Sequence, residues 1–311
     1  SLFHANQYHT RNHNLTDNRV NGVHEDSEGN CWFLTGRGLT FLEAGSSVPI
    51  FYFHPATNTP FSDEFSFFCV LELNEEIWFG ADKGVIWRYD KKKGSFHPLH
   101  TGLTTDVIAI DEISTDKIAV ISSHSGFVIY NTHDGSVEIY NRQTLPEMAS
   151  AQIFSYYLDK NRNLWFETDH LGVARFNPYS RQYLHYKPFI ESTETSVFPP
   201  NFFIFEDIED RLWIHPRGGG FSLYDPETDH LVPFYNEPFS PSWLFSNMMH
   251  SAYSDRQGNL WMCTRSHGLE KVIFFDDSQF RSILLNDNIH STISNDVRPI
   301  FEDSRGMIWA A

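Results

Sequence analysis

Lys, Arg or His recurs at one kind of loop in this chain. Gly36-Arg37, Asp82-Lys83, His124-Ser125, Asp169-His170, Arg217-Gly218 and Arg265-Ser266-His267 each follow an apolar run by a few residues. Cations so grouped hold uronate, sulfate or hydroxyl groups through charge-assisted hydrogen bonds. A rim of them would stand out locally in a chain of formal net charge −17. The other expectation for the same residues is an ordinary polar turn, because exposed charges are common. Glu167 and His215 each stand two residues past a tryptophan. They are either a ligand contact or acid/base pair or a buried structural contact with both partners satisfied. No second base or oxyanion donor stands at a set spacing, so an enzyme has little support. Asp26–Asn30 and Asp255–Asn259 begin like calcium loops but offer too few alternating oxygen ligands, which leaves turn capping. Cys31, Cys69 and Cys263 form neither a metal spacing nor a disulfide pattern. No metal and no cofactor is expected.

Composition limits what these residues can serve. Aromatic side chains make up 16% of the 311 residues, too many for a disordered chain. With 40 Asp and Glu against 23 Lys and Arg, the chain lacks the basic surface that non-specific nucleic-acid or anionic-membrane binding requires. Apolar runs such as Phe202–Phe205 fall far short of the ~18 residues that cross a bilayer as a helix. Ser1-Leu2-Phe3-His4 has neither a basic nor an apolar region of the secretory type, so no signal peptide is expected at this start.

The elements that position the loops come from an internal repeat. GNCWFLTGRGL, EEIWFGADKGV, DKIAVISSHSG, RNLWFETDHLG, DRLWIHPRGGG and GNLWMCTRSHG align, and a further copy begins GMIWAA. The anchors are Trp32, Trp78, Val120, Trp165, Trp213, Trp261 and Trp309, separated by 42 to 48 residues. Both neighbours of each anchor are apolar or small, the pattern of a strand covered on its two faces. Asp26, Asp159, Asp207, Asp255 and Asp303 stand six before an anchor, three of them followed by Gly29, Gly258 or Gly306, the signature of a tight hairpin. After the anchor come a short loop with Gly, a strand ending in Tyr89-Asp90, Phe176-Asn177 or Tyr224-Asp225, and a last aromatic strand. Four strands per repeat make a propeller blade. The expected fold is therefore all-β: one seven-bladed β-propeller over residues 1–311, its seventh blade shared between N- and C-terminal strands. Residues 1–13 read as the outer strands of that blade and 295–311 as its inner ones, which would remove exposed sheet edges. Two long insertions, Glu191–Pro200 and Glu237–Ser246, fall between blades. Trp243, in the second, either stacks on a sugar ring or covers the side of the propeller.

Asn-x-Val-x-x-Ile/Val-x-Glu-Asp-x-x-Gly-x-Leu/Ile-Trp-Ile/Phe-x-Thr-x-x-Gly-Gly-Leu resembles the two-component regulator propeller repeat. Asn18–Leu39 and Asn295–Trp309 match closely; Asn247–Leu269 matches with Ser254 where Glu is usual; residues 65–90 and 106–130 are degenerate, with Val120 for Trp and no Asp-x-x-Gly turn. The resemblance implies the periplasmic sensor part of a hybrid two-component histidine kinase anchored in the inner membrane. It also implies adjacent propeller and immunoglobulin-like domains in the parent chain, a homodimeric receptor, and control of glycan-use genes. The ligand would be an oligosaccharide or other small molecule, held without chemistry and without direct nucleic-acid binding. The ends of the chain suit a piece of such a receptor. Repeat type is a weak warrant for function, since propellers also serve as lyases, hydrolases and interaction platforms. The ligand-binding candidates are Arg37, Lys83, His124, His170, Arg217, Arg265, His267 and Trp243.

Overall fold

The computed structural model describes residues 15–54, 64–148, 150–170, 172–187, 202–215, 221–233, 249–264, 268–273, 279–283 and 300–310. Residues 1–13, on which the shared seventh blade depends, lie outside this set, as do both long insertions. The chain divides into two compact units, Ser1–Ile153 and Phe154–Ala311.

Each repeat folds into one antiparallel sheet whose strands pair in chain order. In the first unit these are β1 to β4 (Val20–Glu25, Cys31–Thr35, Gly38–Leu42, Ile50–Tyr52), β5 to β8 (Phe67–Glu72, Glu76–Ala81, Val85–Asp90, Ser95–His100) and β9 to β12 (Val107–Ser114, Lys117–Ser122, Phe127–Asn131, Val137–Tyr140). In the second they are β13 to β16 (Ile153–Leu158, Leu164–Thr168, Val173–Asn177, Gln182–Tyr186), β17 to β20 (Phe203–Glu206, Leu212–His215, Ser222–Asp225, His230–Pro233) and β21 to β24 (Met249–Ser254, Leu260–Thr264, Leu269–Ile273, Gln279–Ile283). A two-stranded sheet, β25 (Ile300–Glu302) and β26 (Ile308–Ala310), ends the described chain. The fold is thus all-β and propeller-like, with six four-stranded sheets and one of two strands among the described residues.

The anchors sit on the second strand of each sheet, and the apolar triplets around the first six bury both faces as expected, whereas Trp309 is exposed. β2 is buried at all five positions and β18 at all four. Within each unit, the anchor Trp packs on the sheet that follows. Trp32 meets Phe79, Tyr89 and Phe96, with ring centroids 5.0 to 6.2 Å apart. Trp165 meets Tyr224 edge-on at 5.0 Å. Trp213 clusters with Leu260 and Met262, and Trp261 with Ile300 and Ile308. Aromatic pairs in such geometry add to the burial of their large apolar area. Cross-strand cations cover three of these indoles: Arg88 over Trp78, Arg175 over Trp165 and Lys271 over Trp261, at 5.1 to 5.7 Å.

The spacing of six between Asp and Trp has a physical cause that reaches beyond turn capping. Asp159 accepts the backbone N–H of Asn163 at 2.8 Å, the Asn163 side-chain amide at 2.9 Å and the Trp165 indole N–H at 2.8 Å. Asp26, Asp207 and Asp255 hold Trp32, Trp213 and Trp261 in the same way at 2.8 to 3.0 Å. One carboxylate therefore closes the hairpin and satisfies the polar atom of a buried indole, which would otherwise be costly to bury. In the degenerate second repeat Glu76 takes over, accepting from Trp78 at 2.7 Å. Burial works against the charge of Asp207 and Asp255, yet these hydrogen bonds, with the Arg211 guanidinium beside Asp207, hold both carboxyls below the usual range.

The second turn, between third and fourth strands, explains the Tyr-Asp and Phe-Asn endings. Asp90, Asn131, Asn177 and Asp225 each accept a backbone N–H two residues on, at 2.8 to 3.0 Å. Cys31 and Cys263 are buried within their strands, as their apolar setting suggests.

Candidate functional site

The loop between second and third strands is shaped by one close approach. Gly126 has φ +84°, and a Cβ there would lie 2.1 Å from the Tyr140 carbonyl oxygen at the end of the fourth strand. Gly38, Gly84 and Gly172 are the equivalent residues, all with positive φ and all against the chain leaving the fourth strand. The loop is pinned to its own sheet, and its tip residues are held outward. Arg37, Lys83, His124 and His170 are all exposed.

In the first unit, chain segments between sheets stitch three of these loops together. The segment Glu64–Ser66 lies against the first two: Ser66 Oγ donates to the Gly36 carbonyl at 2.7 Å, and the Asp82 N–H to the Ser66 carbonyl at 3.0 Å. Arg37 pairs with Glu64 at 2.6 Å, and Lys83 Nζ stands 4.7 Å over the Phe65 ring. Thr104 and Thr105 join the second and third loops, meeting Ser125 Oγ at 2.9 Å each, while Thr105 Oγ1 accepts the His124 N–H at 3.1 Å. The first unit therefore brings Arg37, Lys83 and His124 to one rim, with a half-buried aromatic ring and a run of hydroxyls between them.

Carboxylates interleave with the cations. The Arg37 hydrogen bond lowers the Glu64 carboxyl and Glu64 in turn raises the guanidinium, with Asp17 adding to that field. Burial pushes Asp82 up, Lys83 opposes it and the Asp106 charge reinforces it. Such a surface offers donors and acceptors in alternation around an apolar ring, which suits a polyhydroxylated ligand. His170 holds the matching loop of the second unit, its N–H directed at Thr168 Oγ1 at 3.4 Å. Arg217, Arg265, His267 and Trp243 lie outside the described residues. Ser155 Oγ donates to Glu167 at 2.9 Å, and His215, fully buried, stacks on Phe203 at 5.1 Å with 6° between the planes.

Two cavities lie at the opposite end of their sheets, by the first turns. One of about 490 Å³ is lined by Glu72, Asn74, Glu75, Glu76, Glu112 and Thr115, where the degenerate second and third repeats lack the Asp-x-x-Gly turn. Another of about 400 Å³ in the second unit is bounded by Lys160, Glu206, Arg211 and Tyr224. Several of their charged side chains are engaged locally: Glu72 by Ser27 and Lys91, Glu75 by Lys92, Lys160 by Asp210 and Arg211 by Asp207. The rim is the candidate because it gathers the cations that recur at one position of the repeat. Glu64, Phe65 and the hydroxyl run are not among the residues the sequence singled out; the Ser and Thr of 101–105 and 122–125 are the signal that points to the last.

No family model matches the chain, and no curated relative matches it. Among solved structures it is similar, over 94% of its length, to the extracellular domain of the candidate one component system BT4673 from B. thetaiotaomicron, with 21% identity and a TM-score of 0.58. Over 94% it is also similar to the extracellular domain of the candidate hybrid two component system BT3049 from that organism, with 19% identity and a TM-score of 0.57. It spans 37% and 38% of those two chains. YCF48 from Cyanidioschyzon merolae is similar over 92% of this chain and 89% of its own, at 13% identity and TM-score 0.53. At these identities the likeness is one of fold, and the fold is that of extracellular domains of candidate one- and two-component systems.

Proposed function

We propose that this chain is the ligand-sensing propeller of the extracytoplasmic part of a hybrid two-component receptor in the inner membrane, responding to an oligosaccharide and controlling glycan-use genes. The observation that carries the reading is the alignment of almost the whole chain with extracellular domains of such candidate systems. The rim of Arg37, Lys83 and His124 around Phe65 is the proposed contact surface, and no bond of the ligand is made or broken there. Binding would shift the population of propeller arrangements in a homodimer with neighbouring propeller and immunoglobulin-like domains. A panel of neutral and acidic oligosaccharides tests this: one of them raises the unfolding temperature and is recovered intact by chromatography. Cleaved or eliminated products would make the chain an enzyme; silence across the panel with concentration-dependent dimerisation would make it an interaction platform.

We also infer that the seven repeats close a single seven-bladed ring in which residues 1–13 supply the outer strands of the β25–β26 blade. Supporting this, β25 and β26 are the first two strands of a repeat whose other copies have four, and the sequence of residues 1–13 carries the spacing of a third and fourth strand. Deleting residues 1–13 is expected to lower the unfolding midpoint by about 5 °C or more; an unchanged midpoint would reject the shared blade.

A further inference from the structure

One clasp recurs where consecutive sheets meet. On one side stands the residue two before the turn aspartate; on the other stands the carboxylate that ends the first strand of the next sheet. His24 Nε2 meets Glu72 at 3.1 Å, Tyr157 donates to Glu206 at 3.3 Å, and Tyr253 donates to Glu302 at 3.1 Å. Each carboxylate also accepts the backbone N–H of the first turn residue: Ser27 at 2.9 Å, Lys160 at 3.1 Å and Arg256 at 3.3 Å. This is why the repeat carries Glu beside Asp. The Asp closes its own hairpin, and the Glu reaches back to the previous one.

Both halves of the clasp are lost together at one seam of the second unit. Between the β17–β20 and β21–β24 sheets, Phe205 stands where the other seams have His or Tyr, and Ser254 where they have Glu. Ser254 Oγ is buried and has no hydrogen-bond partner. Its short side chain ends on the strand that pairs with Leu260, just as Glu206 pairs with Leu212 and Glu302 with Ile308. Apolar packing is common to all three seams of this unit: Trp165 with Leu212 and Ile214, Trp213 with Leu260 and Met262, Trp261 with Ile300 and Ile308. The clasp is present at the two outer seams and absent from the middle one; the first seam also carries Arg175 and Tyr186 bonded to Asp229. Carboxylate hydrogen bonds are directional and stronger than neutral ones, whereas apolar contact is non-directional.

We propose that the seam between β17–β20 and β21–β24 is the compliant joint of the second unit, where sheets separate before they do at the clasped seams on either side. The proposal concerns the fold alone and needs no ligand, so it stands or falls separately from the sensor reading.

Adjacent residues on β22 report the two seams of one sheet. Met262 packs into the unclasped seam and Cys263 into the clasped one. In the Met262→Cys chain, native-state thiol labelling located by mass spectrometry is expected to modify the introduced thiol at least tenfold faster than Cys263. Adding Phe205→Tyr with Ser254→Glu is expected to slow that reaction about tenfold and leave Cys263 unchanged, with each single substitution giving little. Equal labelling at the two positions, or equal slowing of both, would overturn the proposal. Should Met262→Cys fail to fold, hydrogen exchange on the unmodified chain decides. Peptides over 207–211 should exchange several-fold faster than those over 159–163 and 255–259, and equal exchange would refute the joint.

Discussion

Asp159→Ala is expected to lower the stability of the chain by about 3 to 5 kcal/mol. Asp159 is 2% exposed and Trp165 fully buried. Removing the carboxylate strands the Trp165 indole N–H, the Asn163 amide and the Asn163 backbone N–H in the interior. A buried donor left unmade costs about 1 to 3 kcal/mol, and several act at once, which places the change among the severe ones. Urea unfolding followed by tryptophan fluorescence measures it. Asp303→Ala is the internal comparison: Trp309 is exposed and its bond to Asp303 is longer, 3.3 Å, so the cost there should be far smaller. A loss at Asp159 below about 1 kcal/mol would show that the Asp–Trp spacing is only a turn signal.

Gly126→Ala is expected to cost more than about 3 kcal/mol. The positive φ alone costs an L-residue about 1 to 2 kcal/mol, and the new methyl would meet the Tyr140 carbonyl oxygen at 2.1 Å, so that backbone must move. Gly45→Ala separates the two causes. Its φ is +77° but nothing lies within 4 Å of the new Cβ, so only the conformational cost of about 1 to 2 kcal/mol should appear. Equal losses at the two glycines would dismiss the close approach as the reason for glycine in these loops.

The repeat made much of this fold legible. Period, apolar triplets and turn residues placed the second strands, both kinds of turn and the tryptophan core, because each depends on residues close together in sequence. What stayed hidden was the identity of partners. Glu72 and Ser27, or Glu206 and Tyr157, stand almost a full repeat apart; the repeated Glu signalled importance without naming what it grips. Val120 and the missing Asp-x-x-Gly turns marked the second and third repeats as degenerate, yet only the structure shows a cavity where those turns are absent. At the rim, the recurring cations were visible because they share a repeat position. Glu64 and Phe65 were not, since the equivalent connection of the next repeat carries Thr104 and Thr105 instead, and they change a cationic surface into one of alternating charge.

Calorimetry with the oligosaccharide that stabilises the chain most tests the functional account directly, run on the unmodified protein and on Arg37→Glu with Lys83→Glu. Both side chains are exposed, and Gly38 and Gly84, not the cations, hold the loops in shape, so the paired substitution should fold normally. The account predicts heat of binding with the sugar unchanged, and at least a tenfold weaker affinity in the variant. Undiminished affinity would remove the rim from the site, and accumulation of sugar products would replace the sensor with a catalyst.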